Sequence, residues 1–166
     1  VIVEVGDAFH DRIERLFDMH AVVDAGVARM LHPLRPGHEL VVDLVAERRR
    51  HAVKAGETIG YNRNGSLAKN GRIATVRIGY ADGYLRAFGN GVGKMLVKGK
   101  LAPTVGNIAM DMCMIDVSEM EVKEGDEVIV FNEELRIEEL ARQIGTIPYE
   151  ILTNVSQRVK RVYFYE

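Results

Sequence analysis

From residue 53 onward the chain is written in short apolar runs, each cut off by glycine or asparagine, and this punctuation limits what it can fold into. Candidate strands cover residues 58–61, 72–78, 94–97, 100–105, 112–117, 127–131 and 159–165. Turn residues separate them at 62–65, 70–71, 90–93, 98–99 and 124–126, where glycine and asparagine accept left-handed backbone. Many short strands at near-regular spacing predict a small closed or sandwiched β domain. One helix interrupts the series: Ile137, Leu140, Ala141 and Ile144 share a face of 136–144, and Gly145 ends it. A second, shorter helical turn is expected over 148–152.

The first part of the chain has a different texture. Val1 to Val5 alternate, Asp7 is an N-cap candidate, and Phe9, Ile13, Leu16, Phe17, His20, Val23, Val27, Met30 and Leu31 recur at helical spacing. This predicts an amphipathic helix over 8–31 that stops before Pro33 and Pro36. Residues 39–52 fit helix and strand patterns about equally. The expected fold is therefore mainly β: a small β-barrel with an N-terminal amphipathic helix and one short helix near the C-terminus. Residues 1–37 form a helical segment and linker, and 38–166 the β domain.

Composition excludes more than it assigns. Over 166 residues the net charge is −2, which gives no general pull toward nucleic acid or an anionic membrane. The basic run Arg48-Arg49-Arg50 lacks interleaved aromatics and reads as a solvated face. The lone Cys113 lies between two methionines in an apolar strand, a setting for an inert buried thiol and for a reducing, cytoplasmic environment. His10, His20, His32, His38 and His51 show no metal-ligand spacing, so no metal is expected. No apolar run approaches the roughly 18 residues that span a bilayer, and no signal peptide is visible. Residue 1 is Val, so the chain is expected to begin inside a longer protein.

The stretch from Ile78 to Tyr84 holds Tyr80 and Asp82 between Gly79 and Gly83, at the end of an apolar strand. By itself it reads equally as a binding loop on a rigid sheet or as a hairpin corner with packed tyrosines. Three further segments bear on the choice: Gly56-Glu57-Thr58-Ile59-Gly60-Tyr61-Asn62, Gly106-Asn107-Ile108-Ala109-Met110-Asp111, and Thr146-Ile147-Pro148-Tyr149-Glu150-Ile151-Leu152 with Arg158-Val159-Lys160-Arg161 after it. In this order the four resemble the C-terminal β domain of alanine racemase, a pyridoxal-phosphate enzyme, over roughly residues 53–166. The ending from Val155 to Phe164 is similar to the type found fused to, or beside, cell-wall ligases.

The resemblance implies an isomerase that converts L-alanine to D-alanine for peptidoglycan, with pyridoxal phosphate as electron sink and two bases on opposite faces of the substrate. One base is a lysine on an N-terminal α/β barrel; the other is a tyrosine lent by this β domain to the partner subunit, at the matching position Tyr61. A phenol, with an ordinary pKa of about 10, serves as a base near neutrality only if neighbours stabilise the phenolate or accept its proton. Without the resemblance, a packed hairpin tyrosine is the default reading of Tyr61. Tyr80 matches the tyrosine at substrate entry, Arg86 a basic residue further out, and Met110 the position where a backbone N–H meets the substrate carboxylate. Asp82 and Asp111 are expected to fix turns through nearby backbone N–H groups.

The sequence also departs from the family. Gln157 stands where some relatives carry a tyrosine on the cofactor phosphate, and Asn107 where others carry an arginine. No stretch matches the lysine-bearing barrel, which would need on the order of 200–250 further residues. The expectation is a part-enzyme that is inactive alone, does not hold pyridoxal phosphate by itself, and works as a homodimer with its barrel. The alternative is a non-catalytic β-barrel module for dimerisation or scaffolding. A relative that decarboxylates basic amino acids is disfavoured by the Gly79–Gly83 and Gly106–Asp111 patterns.

Overall fold

The computed structural model describes residues 40–45 and 51–160. Among them the elements run β1 (Leu40–Val45), β2 (His51–Val53), β3 (Thr58–Ile59), β4 (Gly65–Ser66), β5 (Gly71–Val76), β6 (Lys94–Val97), β7 (Lys100–Val105), β8 (Cys113–Asp116), β9 (Glu127–Phe131), α1 (Ile137–Gln143) and α2 (Pro148–Asn154). The predicted helix 8–31, and with it the whole 1–37 segment, lies outside the described residues.

The domain is mainly β with two short helices. Its principal sheet has the order β1-β9-β6-β7-β8-β5-β2, and β3 with β4 forms a separate two-stranded ribbon. The expected small barrel is corrected to a curled, seven-stranded sheet. β1 does return to β5, but only through Leu44 opposite Val76 and Val45 opposite Thr75. From Leu40 to Asp43 it is paired with β9 instead. β2 then takes over β5, with His51, Ala52 and Val53 opposite Ile73, Arg72 and Gly71, and the sheet ends there.

Strand ends follow the backbone more than the apolar pattern. The hairpin β6–β7 turns on Lys98 and Gly99 at φ 49° and 74°, a left-handed pair that matches the twist of the flanking strands. β3 stops at Ile59 rather than at residue 61, because Gly60 takes φ 75° and a single 3-10 turn follows. β5 stops at Val76, although Ile78 is still fully buried. Of the expected last strand, Val159 and Lys160 are irregular, and the rest lies outside the described residues. The helix expected over 136–144 and the shorter helical turn expected over 148–152 are both present, and they are of equal length. α1 ends as anticipated at Gly145, at φ 70°, with Thr146 N–H donating to Ala141 O at 2.9 Å. α2 starts on Pro148 and runs past residue 152, because Asn154 Nδ2 and Thr153 Oγ1 hydrogen-bond back to Glu150 O and Tyr149 O, both at 2.8 Å.

The sheet and helices enclose the main core, in which Phe88, Phe131, Met95, Ile108, Ile115 and Leu140 are fully buried. Each such side chain contributes roughly 1.5–3 kcal/mol by leaving water. A smaller cluster of Val53, Ile59, Leu67, Ile73 and Val105 anchors the β3–β4 ribbon to the sheet. The two clusters together give the loops between strands a stiff base.

One buried polar atom stands out. Tyr84 stacks on Phe88 with ring centroids 4.7 Å apart, and its hydroxyl has no hydrogen-bond partner among the described residues. Burial, and secondarily the Cys113 thiol, push its pKa well above the usual phenol value. Gly93 leaves room for the hydroxyl: a Cβ there would lie 2.2 Å from it. Tyr84→Phe keeps the ring and removes a stranded donor, so it is expected to raise stability by about 1 kcal/mol. Urea unfolding measures this, and a clear loss of stability would mean that the hydroxyl is satisfied after all.

Candidate functional site

Tyr61 sits at the tip of the β3–β4 ribbon, in the 3-10 turn Tyr61–Arg63, and its side chain is 74% exposed. The turn is built from uncommon backbone: Gly60, Asn62 and Arg63 all have positive φ, at 75°, 62° and 55°. Asparagine enters this region readily and arginine does not, so the surroundings must hold the turn in shape. A Cβ at position 60 would come 2.4 Å from Met114 Cε, the tip of a flexible side chain that can swing aside, so it is the positive φ that calls for glycine there. Arg63 Nε donates to Thr58 Oγ1 at 3.0 Å, which commits that guanidinium to the ribbon. Asn107 holds the turn from the other side: its Nδ2 donates to Tyr61 O and its Oδ1 accepts from Asn64 Nδ2, both at 3.2 Å.

Tyr80 opens the 3-10 turn Tyr80–Asp82 and is 40% exposed. Asp82 closes this turn as expected, with Oδ2 accepting from Gly79 N–H at 2.8 Å. The turn is fastened to the 106–111 segment by two backbone bonds of 3.0 Å, from Tyr80 N–H to Ala109 O and from Ala81 N–H to Met110 O. Arg86 begins its own 3-10 turn and donates from Nη1 to Ile108 O at 3.1 Å. Three successive carbonyls, those of Ile108, Ala109 and Met110, thus receive hydrogen bonds from the segments that carry Arg86 and Tyr80.

Met110 is 53% exposed, and its N–H meets no acceptor among the described residues. Segment 106–111 is therefore the hub of the site. It grips the Tyr61 turn through Asn107, the Tyr80 turn through Ala109 and Met110, and Arg86 through Ile108. The hairpin-corner reading of residues 78–84 is not what the fold adopts: Tyr84 is packed, but Tyr80 faces outward from a turn. Gln157 is exposed, beside Ser156, whose N–H donates to Asp82 O at 3.1 Å. Gln157 thus joins the same neighbourhood through the backbone next to it.

One expectation needs correcting, and one residue was missed. Asp111 does not fix its own turn; among the described residues its carboxylate accepts from Arg158, whose Nη2 lies 2.5 Å from Asp111 Oδ1. The same guanidinium donates from Nε to Asp82 Oδ1 at 2.7 Å. The hydrogen bonds that Arg158 donates, to Asp82 first and Asp111 second, raise its pKa above the usual guanidinium value. The available clue was arithmetic: two acids in otherwise uncharged loops call for a cation, and the motif Arg158-Val159-Lys160-Arg161 offered three. Cys113 is buried as expected, and burial pushes its thiol up to about 12, with the charge of Asp82 a lesser cause. Among the described residues no group of three or more His, Cys, Asp or Glu is placed to hold a metal, and no helix is long and apolar enough to cross a membrane.

Comparison with known proteins bears directly on this arrangement. The sequence profile of the family described as alanine racemase, C-terminal domain, matches residues 46–163. Alanine racemase 1 of Caldanaerobacter subterraneus subsp. tengcongensis is 45% identical over 119 residues, which is 69% of this chain and 30% of the relative. The alanine racemase of Clostridium tetani is 47% identical over 116 residues, 67% of this chain and 30% of that protein. Among solved structures, the biosynthetic alanine racemase from Pseudomonas aeruginosa superposes with a TM-score of 0.71 at 38% identity, covering 80% of this chain and 36% of its own. The alanine racemase of Bartonella henselae, solved with covalently bound pyridoxal phosphate, gives 0.64 at 30% identity, covering 77% and 34%. The chain thus spans about a third of the length of these relatives. The resemblance carried by its four sequence segments is met in both sequence and fold, and the chain belongs to the alanine racemase C-terminal domain family.

Proposed function

We propose that this chain is the C-terminal part of a pyridoxal-phosphate-dependent racemase that interconverts L- and D-alanine for peptidoglycan in the cytoplasm. In this reading residues 38–166 form one unit that docks against the α/β barrel of a partner subunit in a homodimer. The observation that carries it is the hub: Tyr61, Tyr80 and Met110 are exposed apolar or aromatic side chains, yet their loops are tied to the single segment 106–111. Loops are rarely fixed this firmly around side chains left in water unless another surface meets them.

The described residues do not by themselves fit pyridoxal phosphate. Its aldehyde needs a lysine amine inside a pocket, and Lys54, Lys69, Lys94, Lys98, Lys100, Lys123 and Lys160 are all exposed. Gln157, also exposed, offers one amide and no cradle for a phosphate. The cofactor's seat is therefore assigned to the companion domain, where it supplies the electron sink. What this chain contributes is positional. The Tyr61 oxygen takes a proton from the substrate Cα on one face as the phenolate, or returns one there as the phenol. The Met110 N–H, without an acceptor among the described residues, receives the substrate carboxylate, while Tyr80 and Arg86 line its approach.

Reconstitution tests this. The purified chain mixed with the matching barrel domain and cofactor is expected to form D-alanine from L-alanine, and neither part alone is expected to do so. Activity of the isolated chain, or a stable but inactive complex, would refute the reading. The second outcome would favour the alternative, a non-catalytic module for dimerisation or scaffolding. The exposure of the further apolar and aromatic side chains Met112, Ile147 and Tyr149 gives that alternative its footing.

A further inference from the structure

We infer that Arg158 is a positioning residue, one that fixes the separation between the Tyr80 turn and the Met110 loop by bridging Asp82 and Asp111. The inference deepens the reading above, in which Tyr80 and Met110 flank the path of the substrate. Three chain segments far apart in sequence meet at this guanidinium. Asp82 belongs to the turn that begins with Tyr80, Asp111 follows Met110, and Arg158 follows Gln157. Nε lies 2.7 Å from Asp82 Oδ1 and Nη2 lies 2.5 Å from Asp111 Oδ1.

The geometry needs an arginine. A planar fork directs two N–H groups at two acceptors in fixed directions, whereas a lysine ammonium has no such preferred plane. Asp82 is the fully engaged member. Its Oδ2 accepts from Gly79 N–H at 2.8 Å, its Oδ1 from Arg158, and its backbone O from Ser156 N–H at 3.1 Å. Its side chain is 14% exposed, against 55% for Asp111 and 46% for Arg158. The Asp82 link is thus sheltered and strong, and the Asp111 link is solvent-screened and adjustable.

Removing Arg158 leaves the turn itself capped by Asp82. The two backbone bonds from Tyr80 and Ala81 still form, but with nothing bracing the Met110 loop they open more often. What is lost is the strut that sets Asp111, and the Met110 N–H one residue before it, against that turn. Two carboxylates already occupy Arg158, which argues against its binding the substrate carboxylate directly.

Amide hydrogen exchange on this chain tests the strut without any assay of activity. Arg158→Ala is expected to speed exchange at Tyr80 and Ala81 by about three- to tenfold, the scale of a partly screened charge-assisted pair. Exchange at Val128 and Val130 should stay unchanged, and Arg158→Lys should fall between the native chain and the alanine variant. Unchanged rates at Tyr80 and Ala81, or equal acceleration of the core, would overturn the inference.

In the enzyme reconstituted with its barrel, Arg158→Ala should raise the KM for alanine by a similar factor, about three- to tenfold, with kcat within about twofold. Adding Asp111→Asn should then make no further difference. Fully additive effects of the two substitutions would overturn the strut in favour of direct contact with the substrate. Inactivity of the native mixture would refute the racemase reading, and the exchange rates would then decide the role of Arg158 alone.

Discussion

Tyr61→Phe is expected to lower alanine racemisation in the reconstituted enzyme by about a hundred- to ten-thousand-fold, the range that a positioned acid or base contributes. The loss should be chemical and not structural. Tyr61 is three-quarters exposed, and the contact that holds its loop is made by its backbone O, which phenylalanine keeps. Arg63 remains bonded to Thr58 in either case. Folding stability should therefore move by no more than about 0.5 kcal/mol, as for other surface substitutions. The defect should be one-sided. With one face of Cα deprived of its proton carrier, solvent-deuterium exchange into L-alanine should collapse, and exchange into the other enantiomer should survive. If exchange from L-alanine persists in the variant, Tyr61 is not the base.

The second large effect is expected at Gly79, where glycine is required by space and not by backbone angle. Its φ is −143° and its ψ −169°, extended geometry open to any residue. A Cβ there would nevertheless lie 2.3 Å from Met110 O and 2.4 Å from Ala109 O. These are main-chain atoms, so no rotamer change can relieve the clash. The same carbonyls accept the N–H groups of Ala81 and Tyr80, so separating the loops breaks two hydrogen bonds as well. Gly79→Ala is expected to cost roughly 2–4 kcal/mol, at or above the upper part of the range for overpacking. Gly125→Ala is the control. It has φ 82° but nothing within 4 Å of its Cβ, and should cost only about 1 kcal/mol. Urea titration of the two variants separates the effects, and equal midpoints would show that the loops part easily.

Particular residues explain what the sequence made legible. The strands at 94–97, 100–105 and 127–131 were readable to the residue, because Lys98-Gly99 and Gly125-Asp126 punctuate them sharply. The strand ends at residues 61 and 78 were overextended. There apolar or aromatic residues continue past the last ladder bond, and Ile78 goes on being buried after the pairing has stopped. Burial and strand pairing are separate properties, and only the first is written in hydrophobicity. The curl of the sheet was overstated as a barrel, because registry across β1 and β5 depends on two residue pairs that no local pattern encodes.

The loops of the site were legible as segments, while their connections were not. The bonds from Arg158 to Asp82 and Asp111 span 76 and 47 residues, and that from Asn107 to Tyr61 spans 46. Such pairings follow from the folded path of the chain. Asn107 shows the difference most plainly. Read against the family it is a missing arginine, yet in the fold it is the side chain that holds the Tyr61 turn.

The run of carbonyls from Ile108 to Met110 has one more consequence. The anchors it offers are main-chain carbonyls, which every residue type carries, so the exposed Met110 side chain is free to drift while Ile108 answers to the core. The number of residues between Gly106 and Asp111 is not free. A single insertion would throw the seats for Arg86, Tyr80 and Ala81 out of phase together, making contour length, more than composition, the inherited trait of this loop.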